Sequence, residues 1–293
     1  MRKTSVYLPD DLKDELAALA RRWDRSEADL LRLAVERLVV GARDTSAPGA
    51  PTAPRVRGPV LVGVGVGPSD PGLVTQQAVT MLREADRVYA ASTGTDAIGR
   101  AEAIVRAVAP DVRVDRLVFD IVGTPAARRA SVTTAANIIV ERLDAGEIAA
   151  FATLGDPNVY STFPALARAV AAQRPAVPVA TMPGVMAFQE LAAQSRTVLA
   201  EDGEHVALVV RSNNDDELDA LLADGDCTVV VYKGGGQLPA VADRLREHDR
   251  LDGAVLGEML GLPGGRCVEV AEVADRPASY LATIVVPARR TPR

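Results

Sequence analysis

The chain has 293 residues, a length that favours two domains over one or three. Its 48% hydrophobic and 25% charged residues are typical of a globular protein and exclude a disordered or fibrous chain. A net charge of -6 argues against a protein built mainly to coat nucleic acid or an anionic membrane, and two cysteines are too few for a disulfide scaffold or a four-thiolate metal site. The longest uncharged stretch is too short to span a membrane, so we expect a cytoplasmic protein with no metal site.

The first 41 residues form a predicted small domain of one strand and two helices. Residues Lys3 to Leu8 alternate in polarity, as a strand does, and Pro9 ends that pattern and suits the first turn of a helix. Leucines then recur at helical spacing, and the run Ser26-Glu-Ala-Asp29 is typical of a cap at the start of a second helix. Because about 40 residues of this kind cannot bury their apolar faces alone, we expect a homodimer.

This segment resembles the ribbon-helix-helix family of DNA-binding proteins over roughly residues 2–40. The resemblance implies a ribbon of two paired strands in the major groove of DNA, with Lys3, Ser5 and Tyr7 facing the bases. It also implies a phosphate contact at the helix that begins after Ser26. A module that only dimerises is the alternative. Residues 42–58, rich in Pro, Ala, Gly, Ser and Thr, are predicted to be a flexible linker.

Residues 59–288 alternate short apolar strands with helical patterns, which predicts α/β layers around a largely parallel sheet. The predicted strands are Val60 to Val66, Arg87 to Ala91, Ala149 to Thr153, Val177 to Met182, His205 to Val210 and Thr228 to Tyr232. The predicted helices are Leu73 to Ala85, Ala97 to Val108, Ala126 to Ala145 and Thr162 to Gln173. A final apolar run, Ser279 to Val286, predicts an antiparallel strand at the edge of the sheet.

Three loops with glycine follow predicted strands: VGVGPSDPG, TLGDPNVYSTF and TMPGVMAF. The first lacks the third glycine of a dinucleotide fingerprint, because Pro68 stands there, and it lacks the lysine of a nucleotide-hydrolase phosphate loop. In the others, glycine permits close backbone approach, Asp156 can accept a hydrogen bond, and helix starts offer free amides. We expect the second and third loops to follow adjacent strands and to bind a ligand, although ordinary turns use the same residues.

In this order, the loops are similar to those of the tetrapyrrole methylases, S-adenosylmethionine-dependent enzymes of corrin and sirohaem synthesis. The resemblance covers roughly residues 59–288, and TLGDPNVYSTF is its most specific part. Together with VVVYKGGGQLP and GLPGGRCVEVAEV, the loops look like the branch that methylates carbon 20 of precorrin-2. The resemblance implies two α/β lobes with the cofactor in the cleft between them, and usually a dimer.

The resemblance also implies roles for individual residues. Those expected to bind S-adenosylmethionine are Gly155, Asp156, Val159, Met186, Ala187, Lys233 through its backbone, and Gly261. Pro68 and Asp70 are expected on the tetrapyrrole side, and the candidates for contacts to its carboxylates are Arg100, Arg128, Arg129 and Arg196. Methyl transfer from a sulfonium disperses charge and depends on alignment, so no catalytic acid or base is assigned.

Departures from the family pattern leave the methyl acceptor open. Ser69 stands where the family usually has glycine, and Tyr232 stands where this branch often has methionine. One alternative is a methylase of another tetrapyrrole or of a peptide. Another is a DNA-binding transcription regulator whose large domain senses S-adenosylmethionine or a corrinoid. The sequence does not distinguish metal-free from cobalt-loaded precorrin-2.

Overall fold

The structure is a computed structural model that describes residues 9–22, 25–32, 35, 58–94, 98–120, 123–210 and 215–290. The chain divides into two compact units, Met1–Arg55 and Val56–Arg293. None of the helices in the described ranges is long and apolar enough to cross a membrane. The same ranges contain no group of three or more side chains that could hold a metal ion.

In the first unit, the first predicted helix and the start of the second are present. Helix α1 spans Asp10–Arg22, and residues 27–32 are helical. The backbone amide of Asp29 donates to the Ser26 hydroxyl oxygen over 3.1 Å, so the predicted N-cap is confirmed. The predicted strand with Lys3, Ser5 and Tyr7 lies outside the described residues, as does the linker through residue 57.

The second unit begins with a five-stranded parallel sheet, which forms the first lobe. Its strands are β1 (Val60–Gly65), β2 (Arg87–Ser92), β3 (Val114–Val118), β4 (Ile148–Thr153) and β5 (Val179–Met182), in the spatial order β3-β2-β4-β1-β5. The helices are α2 (Gln76–Glu84), α3 (Arg100–Val108), α4 (Pro125–Asp144) and α5 (Phe163–Gln173). Every residue of β1 is buried, because apolar clusters cover both faces of the sheet.

The second lobe is a five-stranded mixed sheet. Its strands are β6 (His205–Val210), β7 (Cys227–Tyr232), β8 (Val255–Glu258), β9 (Arg266–Glu269) and β10 (Thr283–Val286), in the order β6-β7-β10-β8-β9. Only the pair β6 and β7 is parallel among the pairings of this sheet. The helices are α6 (Ala187–Ser195), α7 (Asp215–Ala223), α8 (Leu238–Glu247) and α9 (Val270–Val273). Leu191 of α6 packs on this sheet, so the helix that follows β5 belongs to the second lobe.

The predicted edge position of the last strand is wrong. Strand β10 is antiparallel, as predicted, but it pairs with β7 on one side and β8 on the other, and all four of its residues are buried. Its sequence, Thr-Ile-Val-Val, carries no charge and is β-branched throughout, which is typical of a central strand, whereas an edge strand exposes polar groups. Strands β3, β8 and β9 were not predicted. Helix α2 also begins later than predicted, because Thr75 caps it by accepting the backbone amide of Ala78.

Candidate functional site

Three backbone loops meet at the carboxyl edge of the first sheet. The prediction that the second and third loops follow adjacent strands is wrong, because β1 pairs with both β4 and β5 and lies between them. The loop after β1 therefore joins the other two at one place. The Gly155 amide donates to the Gly67 carbonyl over 2.8 Å. A Cβ added to Gly65 would lie 2.5 Å from the Gly155 oxygen and 2.6 Å from the Gly184 nitrogen, so only glycine permits this approach.

The second loop leaves open space above its glycine. Gly155 has a φ of 63°, and the nearest atom to a Cβ added there is the Met186 Cα at 4.0 Å. The next residue, Asp156, accepts the Asn158 amide at 2.8 Å and the Gly184 amide at 3.2 Å, one with each carboxylate oxygen. Its carboxylate therefore ties the second loop to the third, while the space over Gly155 remains available to a ligand.

These loops and the second lobe line a cavity of about 700 Å³, including the part open to solvent. Six of the seven residues expected to bind the cofactor contribute to the wall: Gly155, Asp156, Val159, Met186, Ala187 and Lys233. Pro68 and Arg100 contribute to it as well. The structure thus brings most of the predicted site residues to one cavity.

The remaining predicted residues lie outside the cavity wall. Gly261 and Asp70 contact each other, since a Cβ added to Gly261 would lie 2.7 Å from the Asp70 nitrogen. The Asp70 carboxylate accepts the Gly72 amide at 2.7 Å and caps the 3-10 turn Pro71–Leu73. The three other arginine candidates are exposed on helices or at a helix end: Arg128, Arg129 and Arg196. Of the four arginines considered, Arg100 is the one that lines the cavity.

Two tyrosines in the wall were not predicted as site residues. The rings of Tyr160 and Tyr232 pack edge to face, with centroids 5.7 Å apart and planes at 62°. The Tyr160 hydroxyl donates to the Leu208 carbonyl of β6 over 2.6 Å, so this side chain joins the two lobes. Tyr160 lies within the motif TLGDPNVYSTF, but nothing in the sequence indicates that its ring reaches across to the second lobe.

The Tyr232 hydroxyl is buried and has no hydrogen-bond partner among the described residues. Burial raises the pKa of this hydroxyl, and the nearby backbone amide of Phe188 opposes that shift. We expect Tyr232→Phe to raise the free energy of unfolding of the ligand-free protein by about 1 kcal/mol, because it removes an unpaired buried donor and keeps the ring contact. Urea denaturation measures the change.

Tyr160→Phe is the matched control for that substitution. It removes a hydroxyl that is bonded to Leu208, so we expect it to lower the free energy of unfolding by about 1 kcal/mol. Two substitutions that change stability in the same direction and by the same amount would contradict the distinction between a paired and an unpaired hydroxyl.

Glu190 is a buried carboxyl on α6, with 7% of its surface exposed. One of its carboxylate oxygens accepts a hydrogen bond from Gln194 Nε2 at 3.1 Å. The other oxygen has no hydrogen-bond partner among the described residues. Burial raises the pKa of Glu190, and the negative charge of Asp70 raises it further. The folded chain therefore binds this proton more tightly than the unfolded chain does.

This proton makes stability depend on pH in a defined direction. Between the unfolded pKa of Glu190 and its raised folded pKa, the free energy of unfolding falls as pH rises, and it stays lower above that window. Glu190→Gln should thus match the wild-type chain near pH 4 and exceed its stability at pH 8, by urea denaturation at both values. Glu84→Gln, an exposed change on α2, is the control, and an equal gain there would contradict the assignment.

A parallel sheet and a mixed sheet, with three glycine-containing loops meeting at a cavity, define a two-lobed α/β protein with a candidate ligand site. Residues 60–274 match the family model of the Tetrapyrrole (Corrin/Porphyrin) Methylases. The chain belongs to this family and is therefore an S-adenosylmethionine-dependent methyltransferase.

Individual relatives agree with this family. The precorrin-2 C(20)-methyltransferase of Sinorhizobium sp is 29% identical over 236 residues, which is 78% of this chain and 94% of the relative. The cobalt-precorrin-2 C(20)-methyltransferase of Salmonella typhimurium is 28% identical over 231 residues, which is 77% of this chain and 95% of the relative. A crystal structure of uroporphyrin-III C-methyltransferase from Thermus thermophilus, complexed with S-adenosylhomocysteine, shares the fold. Its TM-score is 0.54 at 21% identity, with 78% of this chain and 92% of that chain covered.

The cavity has features that fit a sulfonium nucleoside. The open space over Gly155 admits a ligand close to the backbone, and Val159 and Ala187 supply apolar wall for a flat ring. The third loop leads directly into α6, and Met186 and Ala187 at the start of this helix line the cavity. The residues present therefore suit the cofactor that this family uses.

Proposed function

We propose that the chain transfers a methyl group from S-adenosylmethionine to carbon 20 of precorrin-2 or cobalt-precorrin-2 in cobalamin synthesis. The observation that carries this proposal is the meeting of the three loops at one cavity between the lobes. Two relatives with this activity in their names support the acceptor, since each matches this chain over more than nine-tenths of its own length.

The proposed cofactor site consists of Gly155, Asp156, Val159, Met186, Ala187, Lys233 and Gly261. S-adenosylmethionine supplies a methyl group activated by its sulfonium. The loops bind and orient this ligand through backbone, with Asp156 fixing the distance between the second and third loops. Gly261 is not part of the cavity wall and contributes indirectly, by packing against Asp70. Alignment of the reacting atoms is the main contribution of the chain.

Pro68 and Asp70 are the proposed residues on the tetrapyrrole side. The position of Pro68 in the cavity wall supports its assignment to the tetrapyrrole side. Asp70 acts as a positioning residue, because its carboxylate is bonded to the Gly72 amide and shapes the turn that follows Pro68. No side chain is assigned as a catalytic acid or base.

The experiment that tests the function is a turnover assay with labelled S-adenosylmethionine. Precorrin-2 and cobalt-precorrin-2 are supplied in separate arms, and mass spectrometry counts the methyl groups added to each. One added methyl, located at carbon 20 by NMR, is the expected result. If calorimetry showed no saturable cofactor binding, the proposed enzyme function would be wrong. If the protein methylated a different acceptor, the proposed substrate would be wrong.

We also propose that residues 1–41 form a ribbon-helix-helix module, joined by linker 42–58 to the methylase domain 59–288. Helix α1, the helical residues 27–32 and the Ser26 cap support the helical part. The module would form a homodimer and contact DNA through Lys3, Ser5 and Tyr7. Salt-dependent binding of the full chain to its own promoter, weakened by Lys3→Ala, is the expected result. Equal binding by wild type and variant would contradict the proposed contact of Lys3, and absence of DNA binding by the wild-type chain would leave dimerisation as the role of the module.

A further inference from the structure

We propose that Arg100 and Lys233 bind carboxylates of the tetrapyrrole, one from each lobe, and so set the position of the macrocycle in the cavity. This inference rests on the proposed function. Arg100 is the first residue of α3 in the first lobe, and Lys233 follows β7 in the second lobe. Both are half-buried and contribute to the wall of the same cavity.

Neither cation has an ionic or hydrogen-bonded side-chain partner among the residues that the structure describes. Other partly buried arginines of this unit are paired: Arg116 lies 2.6 Å from Glu102, and Arg266 lies 2.7 Å from Glu258. Partly buried charge without a counter-charge is unfavourable, because the low-dielectric surroundings do not replace the lost hydration. The two cavity cations are therefore available to bind an anionic group of the ligand.

The wall itself supplies little negative charge to neutralise them. Asp156 is the one carboxylate among the described residues that line the cavity. Both of its oxygens accept backbone amides, from Asn158 and from Gly184. Positive potential consequently remains in the cavity although the whole chain carries a net charge of -6.

Apolar surface accompanies the cations in the same wall. Tyr160 and Leu281 are 48% and 42% exposed, which is high for large apolar side chains. A broad ring with carboxylates on its periphery matches such a surface, because its face covers the apolar groups and its edge reaches the cations. A tetrapyrrole has this chemistry. The carboxylate of S-adenosylmethionine is a second source of the same charge, so an experiment must separate the two.

The backbone of Lys233 adds an independent indication. Its φ is 58°, in the left-handed region that glycine adopts more readily than lysine. A lysine at this position costs conformational free energy that a glycine avoids. Backbone strain of this kind is common at ligand sites, and Lys233 lies in the cavity wall.

The test uses Arg100→Gln and Lys233→Gln in the full chain, with Arg100→Lys as the charge-preserving variant. Arg129→Gln and Lys13→Gln are matched controls, since both residues are exposed and outside the cavity wall. The probe is sirohydrochlorin, a stable oxidised form of precorrin-2 with the same carboxylates, titrated by absorbance. Its methyl ester is the uncharged comparison, and S-adenosylmethionine affinity is measured by calorimetry on every variant.

We expect each glutamine substitution to raise the Kd for sirohydrochlorin about tenfold, as loss of one charge-assisted hydrogen bond does. The methyl ester should bind the wild-type chain and these variants with the same low affinity, and Arg100→Lys should recover part of the loss. The controls should bind like wild type. Calorimetry should return the wild-type cofactor affinity, for Lys233→Gln as well, because the proposed cofactor contact of Lys233 is made by its backbone and not by its side chain. Normal cofactor affinity also shows that the variants are folded.

Three outcomes would overturn the inference in different ways. If both glutamine variants bound sirohydrochlorin with wild-type affinity, the proposed carboxylate contacts would be wrong, and the proposed function would be unaffected. A loss of cofactor affinity in place of tetrapyrrole affinity would assign the cations to the carboxylate of S-adenosylmethionine. If the wild-type protein bound the cofactor but did not bind sirohydrochlorin, the proposed acceptor would be wrong, and this inference would be wrong with it.

Discussion

Replacing Gly184 by alanine is expected to lower the free energy of unfolding by about 3 kcal/mol and to abolish saturable S-adenosylmethionine binding. A Cβ at this position would overlap the carbonyl oxygen of Gly155 and would lie 2.9 Å from the Cα of Gly65. These are backbone atoms of the loops after β4 and β1, so no side-chain rotation relieves the overlap. The loops would have to separate, which would also break the contact between Asp156 and the Gly184 amide. Urea denaturation and calorimetry measure the two effects.

Gly236→Ala is the control for this prediction. Gly236 is exposed, its φ lies outside the left-handed region, and an added Cβ would meet no atom within 4 Å. We expect a change in the free energy of unfolding within about 0.5 kcal/mol and normal cofactor binding. If Gly184→Ala bound the cofactor as well as Gly236→Ala does, the close approach of the three loops would not be needed for the site.

The parallel sheet was predictable because its central strands are apolar on both faces. The runs that became β1 and β4 contain little except Val, Leu, Ala, Phe and Gly, and they are bounded by turn residues. Strand β3 escaped prediction because its sequence, VDRLV, carries two charges. One of these, Arg116, is bonded to the buried Glu102 of α3, a partner that no local pattern reveals.

The second lobe was less predictable for a similar reason. Strands β8 and β9 are each four residues long, and each includes charged residues. Arg266 and Glu258 form an ion pair across these two strands, with Arg266 Nε 2.8 Å from Glu258 Oε2. Their charges neutralise each other in the fold, but in the sequence they weaken the hydrophobic pattern of a strand. The predicted edge position of β10 failed because strand order is a tertiary property.

The site was predictable to the extent that it is made of local turns. Motifs with Gly155 and Gly184 indicated ligand-binding loops without any knowledge of strand order, and the loops do meet. Which arginine faces the cavity was not predictable, because helix placement decides it. Arg100 lines the cavity, whereas Arg128 and Arg129 are exposed on α4. The contributions of Tyr160 and of residues near β10 depend in the same way on how the two lobes close.

Replacing Arg250 by methionine is expected to lower the free energy of unfolding by about 4 kcal/mol. The side chain is buried, and its guanidinium donates to four backbone carbonyls at 2.8 to 3.0 Å, those of Leu222, Asp224, Cys227 and Pro287. Methionine fills similar space but supplies no donor, so these buried and partly buried carbonyls lose their shared partner. Chemical denaturation followed by circular dichroism measures the loss.

A charge-preserving variant and an exposed control separate the causes of this effect. Arg250→Lys keeps the charge, but one ammonium cannot reproduce the planar fork that reaches four carbonyls, so we expect it to recover only part of the loss. Arg246→Met, which removes an exposed pair with Asp243 on α8, should change stability by less than about 0.5 kcal/mol. An equally small effect of Arg250→Met would show that water replaces the guanidinium. A large effect would mean that this side chain holds the start of β7 against the residue that follows β10. These two strands carry Tyr232 and Thr283 into the cavity wall.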